Sequence, residues 1–203
     1  GTSDEIIKAV SANILKPGSL LDLGCGSGIV GFVLHRMGTV SKLFASDISP
    51  QAADLVRKNA AENNIECEVR DGPVFNPWVG KKFDYIVDDI SGISEEIAEI
   101  SPWFKNTMCE SGRDGADLVV EAIKQAPTYL INGGKFFFPV LSLSNVDRIM
   151  STACSVFKNV DKLSHKVWAL PDEMKPHMEK LKDLRSKGYV QYEEKFGLIL
   201  WFT

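Results

Sequence analysis

A short apolar run, Ser19-Leu20-Leu21-Asp22-Leu23, breaks at once into Gly24-Cys25-Gly26-Ser27-Gly28. An apolar run of that length bounded by turn residues suits a buried strand, and residues 29–37 beyond it read as a helix. Glycines at such a junction let the backbone turn tightly and approach a ligand with no Cβ in the way. The helix that follows presents free N–H groups and a partial positive charge at its start.

The same rhythm runs through most of the chain. Residues 3–15 place Ile6, Ile7, Val10, Ile14 and Leu15 on one helical face, stopped by Lys16-Pro17-Gly18. A second strand, 42–46, ends at Asp47, and Ser49-Pro50 opens a helix to Asn63 with proline in its first turn. Residues 66–70 form a third strand ending at Asp71-Gly72, and 83–87 a fourth ending at Asp88-Asp89. A helix over 114–130 leads through Asn132-Gly133-Gly134 into a fifth strand, 135–140, and 144–157 is helical again. Strands alternating with helices at this spacing predict an α/β fold, Rossmann-like and doubly wound, with its ligand site at the carboxyl ends of the strands. In the tail, 163–169 and 198–202 read as two more strands that pair antiparallel, with a charged, partly helical excursion within 170–195. The expected sheet is therefore seven-stranded and mostly parallel, with an antiparallel C-terminal strand. No repeat or linker interrupts the 203 residues, which predicts one domain over 1–203.

Charge and cysteine usage narrow the function classes. The 23 basic and 27 acidic residues leave a net charge of -4, with no broad basic field for strong nonspecific nucleic-acid binding. The lysines of 172–187 are interleaved with Glu173, Glu179 and Asp183, the pattern of a solvated face. No run approaches the ~18 consecutive apolar residues of a membrane span, so no membrane partner is expected. Cys25, Cys67, Cys109 and Cys154 form no C-x-x-C pair, and His35, His165 and His177 do not cluster near them. Neither a metal site nor a disulfide scaffold is expected, and a reducing, cytoplasmic setting is. The opening Gly1-Thr2-Ser3 has no initiator Met and no signal-peptide pattern, as in a trimmed or tagged chain.

The loop's chemistry is sharpened by its acids. Asp47 lies nineteen positions past Gly28 at a strand end, where a carboxylate can accept both hydroxyls of a ribose; the plainer reading is a cap ahead of Ser49-Pro50. The spacing is G-x-G-x-G, with Gly31 three further on, rather than the G-x-G-x-x-G of dinucleotide sites. Asp22, two residues before the first glycine, would repel a pyrophosphate but could receive an ammonium group. An NAD-dependent oxidoreductase is thereby the weaker reading, and a nucleoside carrying an amino acid the stronger.

These residues resemble the class I S-adenosylmethionine-dependent methyltransferases. Asp22 to Gly28 look like the first motif of that family, Asp47 like its ribose acid, Asp71-Gly72 like its adenine-side loop, and Asp88 like the residue lining the pocket from the fourth strand. The resemblance implies S-adenosyl-L-methionine as cofactor and a binding shell of Asp22, Gly24, Cys25, Gly26, Gly28, Asp47, Ile48, Asp71, Gly72 and Asp88. More narrowly, 83–87, 111–115 and 129–134 look like the release-factor glutamine methyltransferases and their small-domain relatives. In those enzymes an Asn-Pro-Pro-aromatic turn after the fourth strand holds the acceptor nitrogen; here its place is taken by Asp89-Ile90-Ser91-Gly92. Asp89 can still accept a hydrogen bond from an N–H nucleophile, and it is the candidate catalytic residue. Asn76-Pro77-Trp78 resembles the missing motif only superficially and reads as a loop turn. The resemblance implies an acceptor nitrogen on a protein or RNA, or else a small molecule; the lost turn leaves a non-catalytic S-adenosylmethionine-binding module as the alternative. The long connection 91–110 is a candidate lid or substrate wall, with Ile93, Ile97 and Ile100 spaced for a short helix and Trp103, Phe104 and Met108 beyond it. His165 is expected in a strand, without catalytic duty.

Overall fold

The computed structural model describes residues 1–90, 92–105 and 109–203. In chain order the elements are α1 (Thr2–Asn13), β1 (Ser19–Leu23), α2 (Ile29–Arg36), β2 (Lys42–Asp47), α3 (Pro50–Glu62), β3 (Cys67–Asp71), β4 (Phe83–Asp88), α4 (Glu95–Ile100), α5 (Asp117–Tyr129), β5 (Leu130–Phe137), α6 (Val146–Val156), β6 (Val167–Ala169), α7 (Met178–Ser186), β7 (Glu193–Lys195) and β8 (Leu198–Phe202). They fall into two compact units, residues 1–90 with 122–139 and residues 91–121 with 140–203.

The first unit is built on a five-stranded parallel sheet in the order β3-β2-β1-β4-β5. Strand β1 lies in its middle, with Leu20, Leu21, Asp22 and Leu23 all buried, as a parallel strand covered on both faces requires. Edge strand β3 is only half-buried along most of its length. The core joins Leu20, Val30, Leu34, Leu43, Val56 and Val87 with Val10 of α1. A second group sets Trp78 edge-on to Phe44 and Phe83, at ring distances of 5.8 and 5.6 Å. Helix α1 ends two residues earlier than its apolar pattern predicts: Ile14 is already extended and Leu15 is 88% exposed. The turn read at Asn76-Pro77-Trp78 is a single 3₁₀ turn whose Trp78 is fully buried, its Nε1 donating to Ser46 Oγ at 2.9 Å.

Two expectations about strands are corrected. The fifth strand begins at Leu130 and runs through Asn132-Gly133-Gly134 instead of starting after it. Phe83 faces Leu130 while Tyr85 faces Lys135, so β5 bulges between them, and Gly133 turns there at a φ of 80°. The seven-stranded sheet is replaced by the five parallel strands and a separate antiparallel sheet, β6-β8-β7. The predicted antiparallel pairing of the tail is present, Trp168 opposite Trp201, but it closes on a partner the sequence does not signal. Strand β7 is Glu-Glu-Lys, exposed throughout, with no apolar alternation. It is a strand because Phe196 and Gly197, at φ of 51° and 73°, turn it back onto β8.

The second unit packs Ile93 and Ile97 with Leu143, Met174, Leu181, Leu184 and Trp201. The charged excursion is a 3₁₀ segment, Asp172–His177, followed by α7, and its buried Met174, Leu181 and Leu184 anchor one face while the charges stay outside. The predicted helix in the 91–110 connection is α4; Ser91 and Met108 lie outside the described residues. Phe104 packs against this core, and Trp103 is 43% exposed with its ring 5.5 Å from that of Trp201. His165 lies before β6 rather than in it, its ring 5.8 Å from that of Phe202. No helix among the described residues is long and apolar enough to cross a membrane.

Candidate functional site

Successive strands β1, β2 and β3 step one way across the first sheet, and β4 and β5 the other. Connections on the two sides of such a reversal diverge and leave a crevice at the carboxyl ends of the central strands. Here those ends are Leu23 of β1 and Asp88 of β4, which are register partners. The loop after β1 and the turn after β4 therefore open side by side.

The loop from Gly24 to Gly28 is pinned from below and open above. Gly24 and Cys25 donate their N–H groups to the Ser46 carbonyl at 2.9 and 3.0 Å. Gly26 donates to Asp47 Oδ2 at 2.9 Å, and a Cβ built there would meet nothing within 4 Å. At Gly28 the backbone sits at a φ of 82° and a Cβ would lie 2.7 Å from the Phe32 ring, so only glycine begins α2 at this point. The Cys25 side chain is buried in the core, and burial pushes its thiol well above the ordinary range.

Asp22 is 1% exposed, with Oδ2 accepting the Gly31 N–H at 2.9 Å and Oδ1 without a partner among the described residues. Burial pushes its pKa up to about 7; the Gly31 bond opposes this, and the Asp89 and Asp47 charges add to it. Asp88 repeats the arrangement on β4: fully buried, Oδ1 held by the Ile90 N–H at 2.9 Å, Oδ2 unpartnered, and raised by burial to about 8. Asp89 is half-buried and rises to about 6, mainly by burial, while a hydrogen bond from Ser3 pulls it down. Unpartnered buried carboxylate oxygens are costly. Two of them beside two further acids make a site that favours a cation and hydrogen-bond donors.

The remaining sequence-derived residues are placed as follows. Asp47 is half-buried at the end of β2, with Oδ2 on Gly26 and Oδ1 on the Ser49 N–H at 2.9 Å. It therefore serves as the local cap and still has lone pairs to offer. Ile48 beside it is 57% exposed, an apolar surface next to the loop. Asp71 is register partner to Asp47, but its exposed carboxylate faces Arg57 of α3 at 3.6 Å; Gly72 donates its N–H to the Asp47 carbonyl at 2.9 Å. Three contributors were not singled out from the sequence: Gly31, Ser46 and Ser3. A glycine inside the helical stretch 29–37 is a usable signal for Gly31. Ser46 and Ser3 act through tertiary contacts and carry no local one.

Residues 2–89 match the family model described as the methyltransferase small domain. A ribosomal protein L11 methyltransferase of Thermosipho africanus is 30% identical over 152 residues, 74% of this chain and 45% of that protein. A ribosomal RNA small subunit methyltransferase C of Haemophilus influenzae is 31% identical over 138 residues, 66% of this chain and 35% of that protein. The crystal structure of a ribosomal protein L11 methylase from Lactobacillus delbrueckii subsp. bulgaricus shares the fold, with a TM-score of 0.58 at 18% identity over 100% of this chain and 78% of that one. In sequence the chain is similar to methyltransferases, and residues 2–89 carry the match to the small-domain family. It spans less than half the length of the two curated relatives.

Proposed function

We propose that the chain binds S-adenosyl-L-methionine and transfers its methyl group to a nitrogen of a protein or RNA. The observation that carries the reading is Asp22: one oxygen fixed by Gly31, the other buried and unpartnered, at the carboxyl end of the central strand. When bound, the cofactor supplies an electrophilic methyl on a sulfonium, so the protein's work is alignment and exclusion of water.

The residues fit that group. Asp22 suits the ammonium of the methionine moiety, and Asp88 adds a second buried acid at the end of the neighbouring strand. The open face at Gly26 admits a close ligand, and Asp47 suits the ribose hydroxyls. Exposed Ile48 offers an apolar surface for the adenine, with Asp71-Gly72 and the backbone of Gly24, Cys25 and Gly28 completing the shell. Asp89 stands on the acceptor side, where its carboxylate can orient an N–H nucleophile. The relatives are named for a ribosomal protein and a ribosomal RNA, which supports a macromolecular acceptor. In this reading residues 1–203 work as one domain, since the chain passes between the two units three times, once within α5. Four free thiols suit a reducing compartment, and we place the activity in the cytoplasm.

Calorimetric titration with S-adenosylmethionine, S-adenosylhomocysteine and NAD tests this directly. Micromolar binding of the two sulfur nucleosides and none of NAD is expected. Binding of NAD alone would turn the assignment to an oxidoreductase, and binding of neither sulfur nucleoside would make the glycine loop a structural turn. Tight binding with no methyl transfer to any protein or RNA acceptor would favour a non-catalytic module.

A further inference from the structure

We propose that Ser3, in the first turn of α1, is a positioning residue for Asp89: its hydroxyl holds one carboxylate oxygen and leaves the other open to the acceptor nitrogen. This rests on the methyltransferase reading of the site.

Ser3 Oγ donates to Asp89 Oδ2 at 3.1 Å, across 86 positions of sequence. The Asp89 backbone is tied separately, its N–H donating to the Leu23 carbonyl at 2.9 Å. A carboxylate anchored at main chain and at one oxygen keeps its orientation without further contacts. Among the described residues Oδ1 has no hydrogen-bond partner, and Asp89 is only half-buried. Its neighbour Asp88 is completely buried, with Oδ1 committed to Ile90. Of the two adjacent acids, only Asp89 presents an oxygen to the outside.

The hydrogen bond also bears on the charge state. The acids nearest to Asp89 are Asp22 of β1 and Asp88 of β4, and the Asp89 charge raises both. On α1, Asp4 and Glu5 follow Ser3 but are engaged by Lys8. Among the described residues no cation offsets the burial of Asp89, and the Ser3 hydroxyl favours its anion. As an anion the carboxylate only accepts, and its Oδ1 can take the N–H of a nucleophile; a protonated carboxyl carries an O–H donor and is the weaker acceptor.

The test is a carbon-13 titration of the Asp89 carboxyl in the wild type, Ser3→Ala and Ser3→Thr, with S-adenosylhomocysteine affinity measured for each. Ser3→Ala should raise the Asp89 midpoint by about half a pH unit or more, and Ser3→Thr should restore it. S-adenosylhomocysteine affinity should stay within about twofold throughout, since Ser3 touches the acceptor-side acid and not the loop. An unmoved midpoint in Ser3→Ala overturns the role of Ser3. A matching loss of nucleoside affinity does so too, by assigning Ser3 to the cofactor shell. A wild-type protein that fails to bind S-adenosylhomocysteine overturns the underlying methyltransferase reading instead, whatever midpoint Asp89 shows.

Discussion

Asp22 and Asp88 are carboxylates that folding holds away from water, and each has one oxygen without a hydrogen-bond partner among the described residues. Their folded pKa values, about 7 and about 8, lie above the unfolded value of 3.8. The folded protein therefore keeps protons between those limits that the unfolded chain has lost. The associated stability is complete below pH 3.8 and is lost as pH rises through 7 and 8. Asp88→Asn keeps an oxygen for the Ile90 N–H and removes the ionisation. In urea unfolding it should gain on the wild type progressively from about pH 4 to 8 and level off above that, and parallel stability curves would refute the assignment. At the same scale, Asp22→Ala and Asp47→Ala should each weaken S-adenosylhomocysteine binding about tenfold or more, ~1.4 kcal/mol. Unchanged affinity in both would end the pocket assignment. Asp89→Ala should abolish transfer with nucleoside affinity within about twofold, since the proposed site puts it on the acceptor side; an equal loss of both would put it inside the cofactor shell.

At the scale of elements, the junction of β1, its loop and α2 acts as one device. Gly31 is the hinge of it: its N–H caps Asp22, and a Cβ there would come within 2.7 Å of Leu43 Cδ1 and 3.0 Å of Asp22 Oδ2. Alanine for glycine in a helix interior ordinarily stabilises by about 0.5–1 kcal/mol. Gly31→Ala should instead destabilise by about 1–3 kcal/mol, from overpacking, and weaken nucleoside binding by displacing Asp22. Thermal unfolding and calorimetry read both; a rise in Tm would show that the helix has room. The central elements were legible because their signals are local: β1 is an apolar run with an acid next to its end, β2 and β4 end in acids, and α3 has a proline start behind Ser49. Strand β5 was misplaced because a glycine pair that ordinarily marks a turn was absorbed as a bulge. Strand β7 was invisible because three charged residues on a sheet edge gain their hydrogen bonds from β8 and bury nothing of their own.

For the whole molecule, the excess of acid over base and the interleaved charges of 172–187 argue against binding RNA through a general basic field. Filter binding to a random single-stranded RNA of about 20 nucleotides at 0.15 M salt should show no retention at micromolar protein. Submicromolar, salt-sensitive binding would point to a basic surface that composition conceals. The division into two units was not legible either. The segments 91–121 and 140–203 make one core from residues distant in sequence, Ile97 with Leu143 and Leu184, and their periodicity alone does not say with which partners they pack.

The sequence by itself determined the α/β class, the glycine loop and the run of strand-end acids, because strand and helix periods, glycine tolerance and carboxylate identity are properties of neighbouring residues. Tertiary structure alone decided that five strands rather than seven share the parallel sheet, that Gly31 and Ser3 hold Asp22 and Asp89, and that two carboxylate oxygens are left buried without partners. Those outcomes depend on which strand edges meet and on how deeply a group is buried. Both are set by contacts between residues tens of positions apart, and no local pattern encodes them.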